Sequence, residues 1–211
     1  IDLNLGALVL AVVASKEEIG LFAAASSLIL RFLMVPQSLQ EAVFPRVAAD
    51  PSGRPELVSQ MARLAFAATV LALGVFLLAS RPLVAILLST KFLPIVPILA
   101  VMSVGIALHA ISTVLMPYFD GTGRPGVVSW SIWAAILVNV AFIFLLYPAI
   151  GFVAAAYAFS AGFFVRLLLL VFAFCRATAL PVSAVLMPRR TDFELVYVAA
   201  RSAARRMSGR G

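Results

Sequence analysis

Arg31 is the residue whose placement most demands a chemical reason, because it stands near the middle of an apolar run from about Ile19 to Phe44. A charge at the centre of a bilayer costs from about 2.5 to more than 10 kcal/mol, depending on the reference state. At 100° per residue, Ser27, Arg31, Ser38 and Glu41 fall within about 80° of one another, so a helix here carries one polar face. Glu41 lies ten residues from Arg31, about 15 Å along the axis, too far to neutralise it. The counter-anion must therefore come from another helix or from a ligand. A planar guanidinium that stays charged and makes two parallel hydrogen bonds suits a phosphate, with Ser27 and Ser38 as hydroxyl partners. His109, the sole histidine, falls inside another apolar run. It offers a group titrating near neutrality for ion coupling, the alternative being a helix–helix hydrogen bond. Asn139 invites the same interhelical reading. Arg166 lies in the inner half of the last run, from which its long stem is expected to snorkel to the interface.

Bond-making chemistry finds little support. The chain has nine carboxylates, and only Asp2 and Glu41 stand near or within apolar runs. Cys175 is alone, which rules out an internal disulfide, a cysteine zinc site or an iron–sulfur cluster. Gly121-x-Gly123-Arg124-Pro125 lacks the lysine and further glycine of a phosphate-cradling loop and follows no strand, so it reads as a tight turn. We expect no enzyme, no cofactor and no metal.

The elements that position Arg31 follow from composition. Of 211 residues, 64% are hydrophobic and 12% charged, against about 25% charged in a soluble domain. Pro125 to Val165 carries no charge over 41 residues, and Phe92 to Phe119 none over 28. Since roughly 20 apolar residues cross a bilayer core, this is an all-α integral membrane protein and not a soluble enzyme. Six spans are expected: Leu3–Ala14 as the remainder of a first, then about 19–44, 57–79, 93–118, 127–147 and 152–174. Pro36 should kink the second and free the carbonyl of Phe32. The run from Leu83 to Thr90 is too short to cross and should lie at the interface. Ala154-Ala155-Ala156, Ala158, Ser160, Ala161 and Gly162 form a small-residue run for close helix packing. With no initiator Met and an apolar start at Ile1, the chain reads as a cut through a longer protein.

The net charge of +7 sits at span ends. Arg46, Arg54, Arg63, Arg124, Arg176 and the tail arginines make 11 on one side, against Lys16, Arg81 and Lys91 on the other. The positive-inside rule places the first group and the C-terminus in the cytoplasm. No basic stripe with interleaved aromatics suggests nucleic acid. Two regions result: residues 1–178 as the transmembrane lobe and 179–211 as a basic cytoplasmic tail. In the tail, Thr191 and Glu194 form a capping box. The stripe of Phe193, Val196, Tyr197, Ala200, Ala204 and Met207 predicts an amphipathic helix on the inner leaflet, where it touches membrane lipids.

Several segments resemble the polysaccharide (oligosaccharide-lipid) flippase family, within the superfamily that also holds multidrug extruders. Ile19-Gly20-Leu21-Phe22 with Ala25 is similar to the signature opening the second half of those proteins, and Val43-Phe44-Pro45-Arg46-Val47-Ala48 to the end of the same helix. Gly121-Thr122-Gly123-Arg124, Asn139, Tyr147-Pro148, Gly151 and Ala154-Ala155-Ala156 are similar to a later stretch, although Val153 stands where the family usually has Gly. The resemblance spans about Ile1 to Phe174. It implies one six-helix lobe of a two-lobe transporter, with an N-terminal six-helix lobe as partner. It also implies a polyprenyl-diphosphate-linked oligosaccharide as substrate, moved across the bacterial inner membrane by alternating access for polysaccharide assembly. Arg31 would hold the diphosphate, Ser27 and Ser38 the headgroup, and His109 would serve ion coupling. A cation-coupled multidrug antiporter is the alternative. A noncatalytic scaffold that docks glycosyltransferases or other polysaccharide-assembly proteins is a second.

Overall fold

The computed structural model describes residues 5–49 and 55–187, and these are helical almost throughout. The elements are α1 (Leu5–Val13), α2 (Lys16–Ile29), a 3-10 turn (Leu30–Leu33), α3 (Met34–Ala49), α4 (Pro55–Leu78) and α5 (Ser80–Leu87). A second 3-10 segment (Thr90–Ile95) leads into α6 (Val96–Gly121), followed by α7 (Pro125–Ile150), α8 (Val153–Thr178) and α9 (Val182–Leu186). Five stretches are long and apolar enough to span a bilayer: Lys16–Glu41, Pro55–Leu78, Thr90–Gly121, Pro125–Ile150 and Val153–Thr178. This is a multi-pass membrane protein. The described part of the expected first span, α1, has 9 residues and reaches only about 14 Å. The expected tail helix after Thr191 lies outside the described residues.

Local chemistry explains the breaks. Ser15 caps α2 with a reciprocal box: its hydroxyl accepts from the Glu18 amide, while the Glu18 carboxylate accepts from the Ser15 amide at 2.9 Å. The same carboxylate accepts from the Tyr147 hydroxyl at 3.2 Å, tying the start of α2 to the end of α7. At Pro36 the structure shows a local change of helix type. Without an amide proton on Pro36, the chain before it tightens into the 3-10 turn, where Met34 donates back to the Arg31 carbonyl. Pro45, expected to end the helix, is instead inside α3, which continues to Ala49. Pro125 opens α7 in its first turn, where a missing amide costs nothing. The turn before it is tight, with Gly123 at φ 73° and the Arg124 amide donating to the Phe119 carbonyl at 2.7 Å.

α6 is the central helix and the most enclosed of the five spans. It packs against α8, α4, α3 and α2, while α7 lies on the far side of α8. Gly105 makes the α6–α8 approach possible: a Cβ there would stand 2.9 Å from Ser160 Oγ and 3.0 Å from Ser160 Cα. Ser160 in turn donates across the seam to the Val101 carbonyl at 2.8 Å. Gly162 plays the same part against α7, since a Cβ would meet the Ala135 carbonyl oxygen at 3.0 Å. The small-residue run expected to pack closely therefore does so, on two neighbours. Two apolar clusters follow α6, one around Phe22, Ile29, Met102 and Ile106, the other around Val58, Val114, Phe119 and Phe174. α4 and α7 turn apolar side chains outward, Leu71, Val75, Trp130, Trp133 and Leu137 among them, as lipid-facing helices do. α5, with 8 residues, is too short to cross, as expected.

The Gly105→Ala substitution should lower the thermal midpoint of the intact protein in detergent, by an overpacking cost of about 1–3 kcal/mol. Gly74, with nothing within 4 Å of its would-be Cβ, should tolerate Gly74→Ala with an equal or higher midpoint, because glycine weakens a helix interior by about 1 kcal/mol. Paired melting curves check both signs.

Candidate polar face on the second span

The α2–α3 helix has two unlike sides. Phe22, Ala25, Ser26, Ile29, Leu33 and Pro36 are buried against the bundle. Gly20, Ala23, Ser27, Arg31, Ser38 and Glu41 are all exposed. The stripe read from the sequence thus exists, and the structure turns it outward. This outer face differs from those of α4 and α7, since beside the exposed Met34 it holds a guanidinium, a carboxylate and hydroxyls where they present mostly hydrocarbon and indole. Among the described residues no hydrogen bond or ion pair engages the Arg31 guanidinium. It sits inside the 3-10 turn, a mid-helix tightening of the kind found at functional hinges.

Ser27 and Ser38 flank Arg31 with their hydroxyl protons already used. Ser27 Oγ donates to the Ala24 carbonyl at 2.8 Å and Ser38 Oγ to the Met34 carbonyl at 2.8 Å. Their lone pairs remain outward, so both serines offer acceptors to a ligand hydroxyl and not donors to a phosphate. That narrows the role expected of them.

His109 does not join this face. It is buried on α6, its ring stacked on Phe163 of α8 with centroids 4.3 Å apart. Its Nδ1 has no hydrogen-bond partner, and the ring makes its interhelical contact by stacking. The Asn139 Oδ1 likewise has no partner, and its Cβ lies beside Gly162, where α7 and α8 meet closely. Arg166 overturns its expectation: it does not snorkel but is buried, with Nη2 donating to Met116 Sδ on α6 at 3.0 Å. It belongs to the bundle interior with His109, between the two apolar clusters.

Arg63, which the charge count assigns to the arginine-rich side, has a structural task. It is buried within α4 and its Nη1 donates to the Ala184 carbonyl, fastening α9 to the bundle. Its position well inside an apolar helix was a legible sign of a structural partner, but α9 itself was not foreseen. No group of three or more His, Cys, Asp or Glu side chains capable of holding a metal occurs among the described residues.

No family model, curated protein or solved structure matches this chain.

In the intact protein with Cys175 replaced by Ser, cysteines introduced at Ser27, Arg31 and Ser38 should react with a membrane-impermeant methanethiosulfonate. A cysteine at Leu137, on the lipid-facing side of α7, should stay unmodified. Equal protection of all four would mean that the stripe faces no water.

Proposed function

We propose that this chain forms one lobe of a flippase that moves a polyprenyl-diphosphate-linked oligosaccharide from the cytoplasmic to the outer leaflet of a bacterial inner membrane. The observation that carries the reading is Arg31, an exposed mid-span guanidinium on a polar stripe of a helix whose other side is packed. Hydrocarbon cannot solvate that stripe, so it requires a water-filled cavity or a second lobe across from it. A diphosphate supplies the anion that Arg31 lacks, and its fork geometry fits two phosphate oxygens at once. The serine lone pairs accept from sugar hydroxyls, and the polyprenyl tail stays in lipid. Nothing in this step makes or breaks a covalent bond. The work is alternating access with the site between lobes, and the 3-10 turn at Arg31 gives the helix a place to bend as the cavity changes sides. The sequence resemblance implies the substrate class, and the polar face supplies groups of matching chemistry. The C-terminus and the arginine-rich end then lie in the cytoplasm.

Reconstituted intact protein should flip a fluorescent polyprenyl-diphosphate oligosaccharide in liposomes. Arg31→Ala should slow flipping about 10- to 100-fold, the worth of a charge-assisted hydrogen bond of about 1.5–3 kcal/mol. Arg31→Lys should fall between, because it keeps the charge without the fork. Extrusion of a cationic drug with no flipping would replace this reading with the antiporter.

A further inference from the structure

Arg124 and Arg176 are 52 residues apart in the sequence, yet they line one cleft of about 360 Å³. Arg124 is the N-cap residue of α7 and Arg176 lies in the last turn of α8. Between them the walls are apolar, formed by Phe119, Val127, Phe172 and Ala173. The Arg124 backbone is held by its hydrogen bond to the Phe119 carbonyl, so the first arginine's side chain starts from a fixed place above the end of α6. Both arginines are exposed, and no carboxylate lines the cleft. The volume lies within the roughly 300–1,000 Å³ of small-molecule sites.

The lipid-facing side of α8 supplies the second half of the argument. Phe164, Leu168, Phe172 and Arg176 recur at intervals of four and are all exposed, so they form one stripe along the helix. The three apolar members run towards the cleft and the fourth is one of its two cations. From Phe164 to Arg176 the stripe measures about 18 Å, close to the roughly 15 Å of one leaflet's hydrocarbon. A cationic cleft at the membrane end of an apolar track one leaflet long has the shape and charge of a phospholipid. Basic pockets between transmembrane helices hold anionic headgroups in this way.

We infer that this cleft is a binding site for an anionic phospholipid of the leaflet at the arginine-rich end, with the headgroup phosphate between Arg124 and Arg176 and an acyl chain along Phe172, Leu168 and Phe164. The lipid bridges the start of α7 to the end of α8, beside the turn at 121–125 that joins α6 to α7. The site is on a different helix pair from the polar stripe of α2–α3, and it stands or falls independently of the transported cargo.

Native mass spectrometry of the intact protein, titrated with phosphatidylglycerol and with phosphatidylcholine of the same acyl chains, tests the assignment. The wild type should retain phosphatidylglycerol in preference. The Arg124→Gln/Arg176→Gln pair should weaken that binding at least about tenfold, and the Arg81→Gln/Lys91→Gln pair at the opposite end should leave it unchanged. Should the glutamine pair fail to fold, Arg124→Lys/Arg176→Lys keeps both charges and must keep the preference for the anionic lipid. Undiminished phosphatidylglycerol binding in a folded glutamine pair overturns the site, as does lost preference in a folded lysine pair. Inorganic phosphate competing as well as the lipid would make the cleft a free-anion site instead. A polyprenyl diphosphate held there in place of phosphatidylglycerol would assign it to the cargo. Either result overturns the phospholipid.

Discussion

α6 can occupy the centre of the bundle because Gly105 has no side chain. At that point the backbone of α8 is so near that a single added carbon would stand 2.9 Å from Ser160 Oγ. Within a bilayer the hydrophobic effect does not draw helices together, so their association depends on close van der Waals contact and on hydrogen bonds made at short range. Gly105 supplies the first, and the Ser160 hydroxyl bonded to the Val101 carbonyl supplies the second. With that seam closed, α6 is wrapped by α8 on one side and by α2, α3 and α4 on the others. Gly162 extends the same logic outward by admitting α7 against α8.

Once the centre is fixed, each surrounding helix has only its outer face left to meet the environment, and these faces are of two kinds. α4, α7 and α8 show hydrocarbon and aromatic rings over most of their outer surface, which matches lipid. α2 and α3 show Ser27, Arg31, Ser38 and Glu41, which does not. The distinction is one of solvation: an unpaired guanidinium in acyl chains costs several kcal/mol at least, while the same group against water or a phosphate costs little. Pro36 adds a mechanical element, since the 3-10 turn it induces places Arg31 at the one point where this helix departs from α geometry.

The bundle interior also holds polar groups that are not part of that face. His109 stacks on Phe163, Arg166 donates to Met116 Sδ, and both lie between the apolar clusters at either end of α6. Arg63 performs a comparable structural task at the arginine-rich end by holding α9 through the Ala184 carbonyl. Charged residues of one type thus have three fates in this protein. They face outward on the stripe, tie elements together inside, or stand at the membrane end of α7 and α8.

The sequence by itself determined the spanning character and the angular clustering of the stripe, and most helix breaks, though not at Pro45, which lies inside α3. These depend on neighbours in the chain: apolar length, the missing amide of Pro36, and the 100° step that fixes relative angles on one helix. The capping box that the structure shows at Ser15 and Glu18 is equally local. What periodicity cannot fix is the rotation of a helix about its own axis relative to its neighbours, and tertiary contact alone decided that. It sent Arg166 inward to a sulfur 50 residues away instead of outward to the interface, and it gave the His109 ring an aromatic face. It also brought Arg124 and Arg176 to one cleft. The sulfur, the ring and the second arginine are each supplied by a different helix, and the rotations that align them are set by glycine and alanine contacts at the seams.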